Sequence, residues 1–219
     1  MRPGRDRPEE QRYPSAVHRG ISTRILALAA ALLWATSGTA AEAAKPKAKT
    51  ATTPAVQPGT EAVVDTPKGS FTIRLLPEIA PQHARLFVKT AKAGGYDGTV
   101  FHRIIAGGII QGGDPLSKDP AKAAQYGQGG LDLVRAEFSE RPFVRGTVGV
   151  ARKASSVDTG GKQFFVCLQP QPSLTGQYTI VGEVVSGMEV VDQISLAPVV
   201  GDRAAERVEM KVTIKEPTP

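Results

Sequence analysis

Arg103 and Gln111 are the two side chains of this sequence whose types and spacing best suit chemistry on a polar bond. They lie eight residues apart in the stretch 101–115 (FHRIIAGGIIQGGDP), among β-forming residues and glycines. The stretch contains no nucleophile beside a partnered base. A site of this kind can act on a bond without a covalent intermediate, and rotation about a peptide bond is a reaction of that class.

Motifs for other chemistries are missing from the sequence. A single cysteine, Cys167, excludes an intrachain disulfide and a CxxC or Cys/His zinc site. No HExxH, no GK[ST] after the Gly112-Gly113 pair and no G-x-S-x-G nucleophile elbow is present. We interpret Cys167 as a small buried apolar residue and not as a redox group.

The basic charge is concentrated near the N-terminus. Residues 1–50 hold nine Lys/Arg and four Asp/Glu, which accounts for +5 of the net charge of +6. The rest of the chain is close to neutral, so the charge does not indicate a nucleic-acid surface.

The N-terminal region 1–44 has the pattern of a secretory signal peptide. A polar prelude, residues 1–20, precedes an apolar run at 25–34 (ILALAAALLW), which follows Arg19 and Arg24 and is followed by small residues. The run is shorter than the roughly 20 residues of a membrane span, so we expect no stable span after cleavage. Cleavage after Ala40, Ala41 or Ala43 fits equally well, and an uncleaved anchor or a buried helix remains an alternative.

Two further segments follow the signal region. Residues 45–60 are rich in Lys, Ala, Thr and Pro, which predicts a flexible linker. Residues 61–219 are expected to form one folded domain, because apolar alternation begins there. Its second predicted strand alternates Phe71, Ile73 and Leu75 with Ser70, Thr72 and Arg74.

The same patterns predict many strands and two helices. The helices are expected at 82–93 and 186–194, and 116–132 is expected to be a long surface loop. Strands are predicted at 62–66, 70–76, 100–105, 143–150, 163–168, 178–185 and 209–215. A mainly β chain with two helices suggests a closed antiparallel barrel whose ends the helices cover.

Three blocks of the sequence resemble the cyclophilin-type peptidyl-prolyl cis-trans isomerases. They are FHRIIAGGIIQGGDP at 101–115, KQFFVCL at 162–168 and SLTGQYTIVGEVVSGMEVVDQI at 173–194. The resemblance spans about residues 61–215 and implies an eight-stranded cyclophilin-like barrel with a shallow groove on its outside. It implies rotation of the peptide bond before proline, without metal or cofactor, on proline-containing polypeptides, and it implies a monomer.

The resemblance also assigns roles to residues. Arg103 matches the catalytic arginine, and Gln111 matches the glutamine that positions it and contacts the substrate backbone. Their odd numbering, shared with Ile105 and Ile109, would place all four on one face of regular strands. The substrate-binding positions implied are His102, Gly108, Ile109, Ala151, Arg152, Gln163, Phe165, Ser173, Leu174 and Tyr178.

The chain departs from the family at the proline pocket. Gly108 stands where Phe is usual, Ile109 where Met is usual, and Ser173 where cyclosporin-sensitive members carry Trp. Tyr178 replaces a histidine and Arg152 an asparagine. Losing a buried Phe forfeits about 1.5–3 kcal/mol of apolar contact, so we expect Gly108 to leave a more open pocket and to lower proline affinity.

Two functions follow from the sequence. The first is an exported isomerase, periplasmic or secreted, that assists the folding of other exported proteins. The second is a cyclophilin-fold chaperone or binding module with weak or no isomerase activity. Gly108 and Ser173 favour the second function, whereas Arg103, Gln111 and Phe165 together favour the first.

Overall fold

Eight antiparallel strands close into a barrel in the computed structural model, which describes residues 55–217. The predicted signal region 1–44 and residues 45–54 of the predicted linker lie outside this range. The barrel strands are β1 (Glu61–Thr66), β2 (Gly69–Leu75), β3 (Thr99–Ile105), β4 (Ile109–Gly112), β5 (Thr147–Val150), β6 (Phe164–Cys167), β7 (Ile180–Ser186) and β10 (Glu209–Lys215).

The strand order around the barrel is β10, β1, β2, β7, β5, β6, β4 and β3, and pairing of β3 with β10 closes it. A short hairpin of β8 (Val199–Val200) and β9 (Arg203–Ala204) extends from the edge of β3. Closure pairs β3 with β10, so each of the eight barrel strands has a neighbour on both sides and the barrel has no open edge. The mainly β barrel predicted from the sequence is confirmed.

Alternation along the strands sends apolar side chains into the barrel. In β2, Phe71, Ile73 and Leu75 are buried, whereas Ser70 and Arg74 are exposed. Aromatic rings fill much of the interior: the ring of Phe164 packs edge-on against Tyr96 and Phe101. This single core fixes the register of the strands, since a slip by one residue would turn the apolar face outward.

Two helices pack against the barrel core, close to the predicted positions. Helix α1 (Pro81–Lys92) begins with a proline and buries Phe87, whose ring contacts Tyr96 and Phe164. Helix α2 (Met188–Ser195) buries Val191 and Ile194 in the same core. Neither of these helices has the length and apolar character needed to cross a bilayer.

The structure differs from the predicted strand at 143–150. Strand β5 begins only at Thr147, because Val144 and Thr147 form a turn in which the Thr147 amide donates to the Val144 carbonyl at 3.0 Å. The Thr147 hydroxyl accepts a hydrogen bond from the Val144 amide at 3.0 Å and stabilises the same turn.

The predicted loop at 116–132 contains two short 3-10 helices, Pro115–Lys118 and Pro120–Gln125. Each follows an aspartate, Asp114 or Asp119, whose carboxylate accepts a backbone N–H of the first turn. Helical turns this short have no period that sequence patterns reveal.

Residues at the end of the predicted linker contact the domain. The Leu75 amide donates to the Thr60 carbonyl at 2.9 Å, Thr60 is buried, and Val56 packs on the core. The residues that contact the barrel therefore include Val56 and Thr60, which precede the predicted start of the domain at Glu61.

Candidate active site

Strands β3 and β4 bring Arg103 and Gln111 side by side. Their register pairs Arg103 with Gln111 and Ile105 with Ile109, whereas Ile104 and Ile110 between them point into the barrel core. The two polar side chains therefore lie on the outer face, separated by eight positions in sequence but directly opposite in the sheet.

Strand β6 continues this outer face with Phe165. Phe165 pairs with Gln111, and its neighbour Phe164 points inward. A cavity of about 210 Å³ opens beside Phe165. Its walls are Arg103, Ile105, Gly108, Ile109, Gln111, Arg152, Phe165, Gln171, Leu174 and Tyr178.

Three aromatic groups fix the floor of this cavity. The Phe165 ring stacks on Phe143 at 5.9 Å and meets Tyr178 edge-on at 5.6 Å. Phe165 is 2% exposed, so its position is set by packing and not by solvent. A rigid apolar floor of this size suits a small ring such as that of proline.

Gly149 on β5 is the reason that Phe165 can lie flat against the sheet. It pairs with Phe165, and a Cβ at residue 149 would stand 2.2 Å from the ring carbon Cζ. Contacts below 3.0 Å force a shift of one partner. The sequence patterns gave no sign of this role.

We expect Gly149→Ala to push the Phe165 ring out of place. Overpacking of this kind costs about 1–3 kcal/mol of unfolding free energy, and kcat/KM should fall because the cavity floor moves. Denaturant unfolding and isomerisation kinetics measure both effects. Phe165→Leu added to Gly149→Ala should recover part of the stability; a double variant no more stable than Gly149→Ala would contradict this account.

Arg103 is held from two sides. Its Nε donates to the carboxylate of Asp202 at 2.7 Å, and its Nη1 donates to Gln111 Oε1 at 3.4 Å. The Arg103 guanidinium keeps the pKa of Asp202 below its usual range. Within residues 55–217 the Nη2 group makes no hydrogen bond, so it remains available to a bound peptide.

A chain of amides orients Gln111. Gln111 Nε2 donates to Gln163 Oε1 at 3.0 Å, and Gln163 Nε2 donates to the Gly129 carbonyl at 2.7 Å. Each amide oxygen therefore accepts from the group before it. Gln163 is 1% exposed and lies behind the cavity wall, so it acts on the site through Gln111.

The remaining predicted site residues lie at different distances from the cavity. Ala151 is buried beside Phe165 in the outer apolar cluster, without lining the cavity. His102 is largely buried and lines a second, polar cavity. Ser173 is exposed in the 3-10 helix Pro172–Leu174 and lines neither of these two cavities. Leu174 and Tyr178 from the same segment do line the wall.

Burial lowers the pKa of His102, and the negative charge of Asp114 offsets this effect only in part. His83 behaves alike: burial lowers its pKa although Glu137 Oε2 lies 2.6 Å from its Nδ1. Both imidazoles are therefore neutral at pH 7.

The stability of the domain should fall as the pH drops below about 6.5, the ordinary histidine pKa. The unfolded chain binds protons there while the folded chain does not, so protonation favours unfolding. Each imidazole contributes at most about 1.4 kcal/mol per pH unit. Denaturant unfolding at pH 7.5 and 5.5 checks this, and His83→Gln and His102→Gln should each reduce the difference. Equal stability at both pH values would contradict it.

Ile105 occupies the space beside Gly108. A Cβ at residue 108 would stand 2.9 Å from Ile105 Cγ2 and 3.3 Å from its Cβ. Ile105 lines the same cavity and is 38% exposed. The structure thus identifies a side chain that replaces part of the wall lost with the usual phenylalanine.

We expect Gly108→Phe alone not to raise kcat/KM, because Ile105 blocks the new ring. Ile105→Ala combined with Gly108→Phe should raise kcat/KM on a proline tetrapeptide above either single variant. Isomerisation kinetics on the four proteins give the comparison. A gain from Gly108→Phe by itself would show that Ile105 moves aside freely.

Three residues of the site were not predicted to belong to it from the sequence. Ile105 could have been found, because its odd numbering places it on the same strand face as Arg103. No sequence pattern pointed to Gln171, and Asp202 lies 99 residues from Arg103 in sequence. Asp202 reaches the site because the β8–β9 hairpin joins β3, where the Ile104 amide donates to the Asp202 carbonyl at 2.8 Å.

Cys167 lies outside this chemistry. Its side chain is buried in the outer cluster, and burial raises its pKa to about 12. The thiol therefore stays protonated and unreactive at neutral pH.

The closed eight-stranded barrel with two helices defines the class of protein as a cyclophilin-like β-barrel. The family model described as cyclophilin type peptidyl-prolyl cis-trans isomerase matches residues 62–217. The chain belongs to this family of isomerases.

Known relatives agree with this assignment. A probable peptidyl-prolyl cis-trans isomerase of Brucella suis is 40% identical over 148 residues, which are 65% of this chain and 75% of that protein. Peptidyl-prolyl cis-trans isomerase-like 1 of Aspergillus oryzae is 36% identical over 153 residues, 69% of this chain and 92% of that protein. A crystal structure of a Cryptosporidium parvum cyclophilin in the presence of the dipeptide Ala-Pro has a TM-score of 0.63 and 26% identity, covering 73% of this chain and 99% of that one.

Proposed function

We propose that this isomerase accelerates rotation of X-Pro bonds in exported proteins and so aids their folding, by Arg103-assisted twisting of the amide without a covalent intermediate. The observation that carries the proposal is the placement of Arg103. Its guanidinium is fixed by Asp202 and Gln111 at the rim of an apolar cavity large enough for a proline ring.

The amide itself dictates what such a site must do. Resonance sets a barrier of about 18–20 kcal/mol to rotation, so spontaneous exchange before proline takes tens to hundreds of seconds. Rotation removes the resonance, and the prolyl nitrogen becomes pyramidal and able to accept a hydrogen bond. A donor that meets this nitrogen only in the twisted state lowers the barrier, because it binds the transition state more strongly than the ground state.

Arg103 suits this role for two reasons. A guanidinium keeps its charge at every physiological pH and holds its donors in a rigid fork. Because Nε and Nη1 are occupied by Asp202 and Gln111, the free Nη2 donor has a defined direction before substrate arrives. Donors fixed in advance need no reorganisation during the reaction.

Proline-containing polypeptides are the proposed substrates. The cavity offers Phe165, Leu174 and Ile109 to the ring, and the solved Cryptosporidium relative was studied with Ala-Pro. A protease-coupled isomerisation assay on a proline tetrapeptide tests the activity. A wild-type rate at the uncatalysed level would leave the chaperone or binding role.

The alternative of a binding module rests on two positions. Gly108 contributes no side chain to the cavity, and Ser173 is exposed outside it. Both weaken the grip on proline relative to the usual aromatic residues. Binding of a proline peptide without acceleration of its isomerisation would favour this second function.

Export is the second part of the proposal. It is supported by the apolar run at 25–34 after Arg19 and Arg24, and by the small residues that follow. The periplasm or the cell exterior would then be the site of action. Slow proline isomerisation limits folding in any compartment, so an exported isomerase has substrates there.

Expression of the full chain in a bacterium with two membranes tests export. We expect the protein in the periplasmic fraction, with a mass that places the new N-terminus after Ala40, Ala41 or Ala43. Leu28→Arg, in the middle of the apolar run, should keep the full-length protein in the cytoplasm, whereas Thr52→Arg should not. A wild-type protein of full-length mass in the cytoplasm would overturn the export proposal without touching the isomerase.

A further inference from the structure

A second, polar cavity of about 270 Å³ adjoins the cavity beside Phe165, which is the proposed proline cavity. It is lined by His102, Arg103, Gln111, Tyr126, Gly127, Arg152, Asp202 and Arg203. Arg103, Gln111 and Arg152 line both cavities. A peptide that places proline in the first cavity therefore passes these three side chains on its way into the second.

The charge of the polar cavity is strongly positive for a domain close to neutral. Three guanidinium groups, those of Arg103, Arg152 and Arg203, face one carboxylate, that of Asp202. Asp202 already forms an ion pair with Arg103. His102 adds no charge at pH 7, because burial lowers its pKa.

Arg152 is held in place without any acidic partner. Its Cζ lies 4.5 Å from the centre of the Tyr178 ring, a cation–π contact. Its Nε donates to the Gln177 carbonyl at 3.1 Å, and its Nη1 donates to the Lys153 carbonyl at 3.1 Å. Throughout the described residues 55–217 no carboxylate pairs with it.

Arg203 lines the same polar cavity and also has no acidic partner within the described range. Its Nη1 donates to the Ala123 carbonyl at 2.8 Å, and it forms no ion pair in the described part of the chain. Two oriented cations thus line one polar space, and neither has a carboxylate partner among residues 55–217. An anionic group entering this space would gain from both.

We propose that this polar cavity is a specificity subsite that selects X-Pro segments carrying an acidic side chain within two residues of the proline. The inference rests on the proposed function, since it names the substrate class of the same site. The two cavities share three lining residues, and an extended chain advances about 3.3–3.6 Å per residue. A side chain within two residues of the proline can therefore enter the polar cavity. Acidic segments of polypeptides are therefore the preferred substrates over neutral or basic ones.

Matched tetrapeptides test the proposal. Each has one proline and carries Glu, Gln or Lys at one of the two positions before it or one of the two positions after it. At low ionic strength we expect kcat/KM for the best-placed Glu peptide to exceed that of its Gln counterpart by about three- to tenfold, and Lys to fall below Gln. At 1 M salt, where screening acts within about 3 Å, the preference should shrink.

Variants assign the preference to the named groups. Arg152→Gln and Arg203→Gln should each lower the Glu/Gln ratio, and the double variant should bring it near one. Asp202→Asn removes the one carboxylate of the lining and should raise the ratio. Arg74→Gln is the control, because Arg74 lies on β2, across the barrel, and pairs with Glu183; it should leave the ratio unchanged.

Dissociation constants of the same peptides, measured by calorimetry, separate this inference from the proposed function. If no peptide is isomerised above the spontaneous rate, the isomerase mechanism fails, and the Glu/Gln ratio of the dissociation constants still decides the selectivity. A ratio near one in both rate and binding at low salt, or a ratio unaffected by Arg152→Gln with Arg203→Gln, would overturn the subsite.

Discussion

Arg103→Ala is expected to lower kcat/KM for a proline tetrapeptide by about a hundred- to a thousandfold, the usual loss when a fixed transition-state donor is removed. The loss should fall mainly on kcat, because in the proposed mechanism Arg103 meets the pyramidal nitrogen only in the twisted state. Its side chain is 42% exposed, so the fold should survive with a change of unfolding free energy near 0.5 kcal/mol or less. A protease-coupled assay with stopped-flow mixing measures the rates.

Two further proteins make this result interpretable. Arg74→Ala removes another exposed, ion-paired arginine, on β2 far around the barrel from β4, and should retain full activity. Arg103→Lys keeps the charge but loses the fork that Asp202 and Gln111 hold, and should recover only part of the rate. An Arg103→Ala protein as fast as the wild type would refute the twisting mechanism.

The second large effect is expected from the adjacent phenylalanines of β6. Phe164→Ala and Phe165→Ala should each lower the free energy of unfolding by about 3–5 kcal/mol, because both rings are almost fully buried. Only Phe165→Ala should also lower kcat/KM per folded molecule, because Phe165 forms the floor of the proposed proline cavity and Phe164 belongs to the barrel interior.

Denaturant unfolding and isomerisation kinetics on the same samples separate the two effects. If the alanine variants fail to fold, Phe164→Leu and Phe165→Leu provide the same comparison at lower cost in stability. A fall of kcat/KM as large in the Phe164 variant as in the Phe165 variant would mean that the cavity is not the substrate site.

The two phenylalanines also show how far sequence reasoning reached. Alternation requires that one of them points inward, and resemblance favoured Phe165 for the pocket. The pairing of Phe165 with Gln111 on one side and Gly149 on the other is a property of the sheet. No spacing in the sequence indicates that residue 149 must lack a side chain for the ring to lie flat.

The barrel, the two helices and the outward face shared by Arg103 and Gln111 could be predicted from the sequence, because they follow from alternation, local motifs and the family resemblance. The surroundings of this pair became visible only in the folded structure. The β8–β9 hairpin, which is docked on β3, brings Asp202 to Arg103. The turn between β3 and β4 places Ile105 in the space beside Gly108.

The physical reason is the range of the interactions. The periodic spacing of apolar residues indicates which side of a strand or helix faces the core, and it involves only residues a few positions apart. The placement of Asp202 and Arg203 around Arg103 depends on contacts between residues about 100 positions apart, which only closure of the barrel and docking of its hairpin bring within hydrogen-bonding distance.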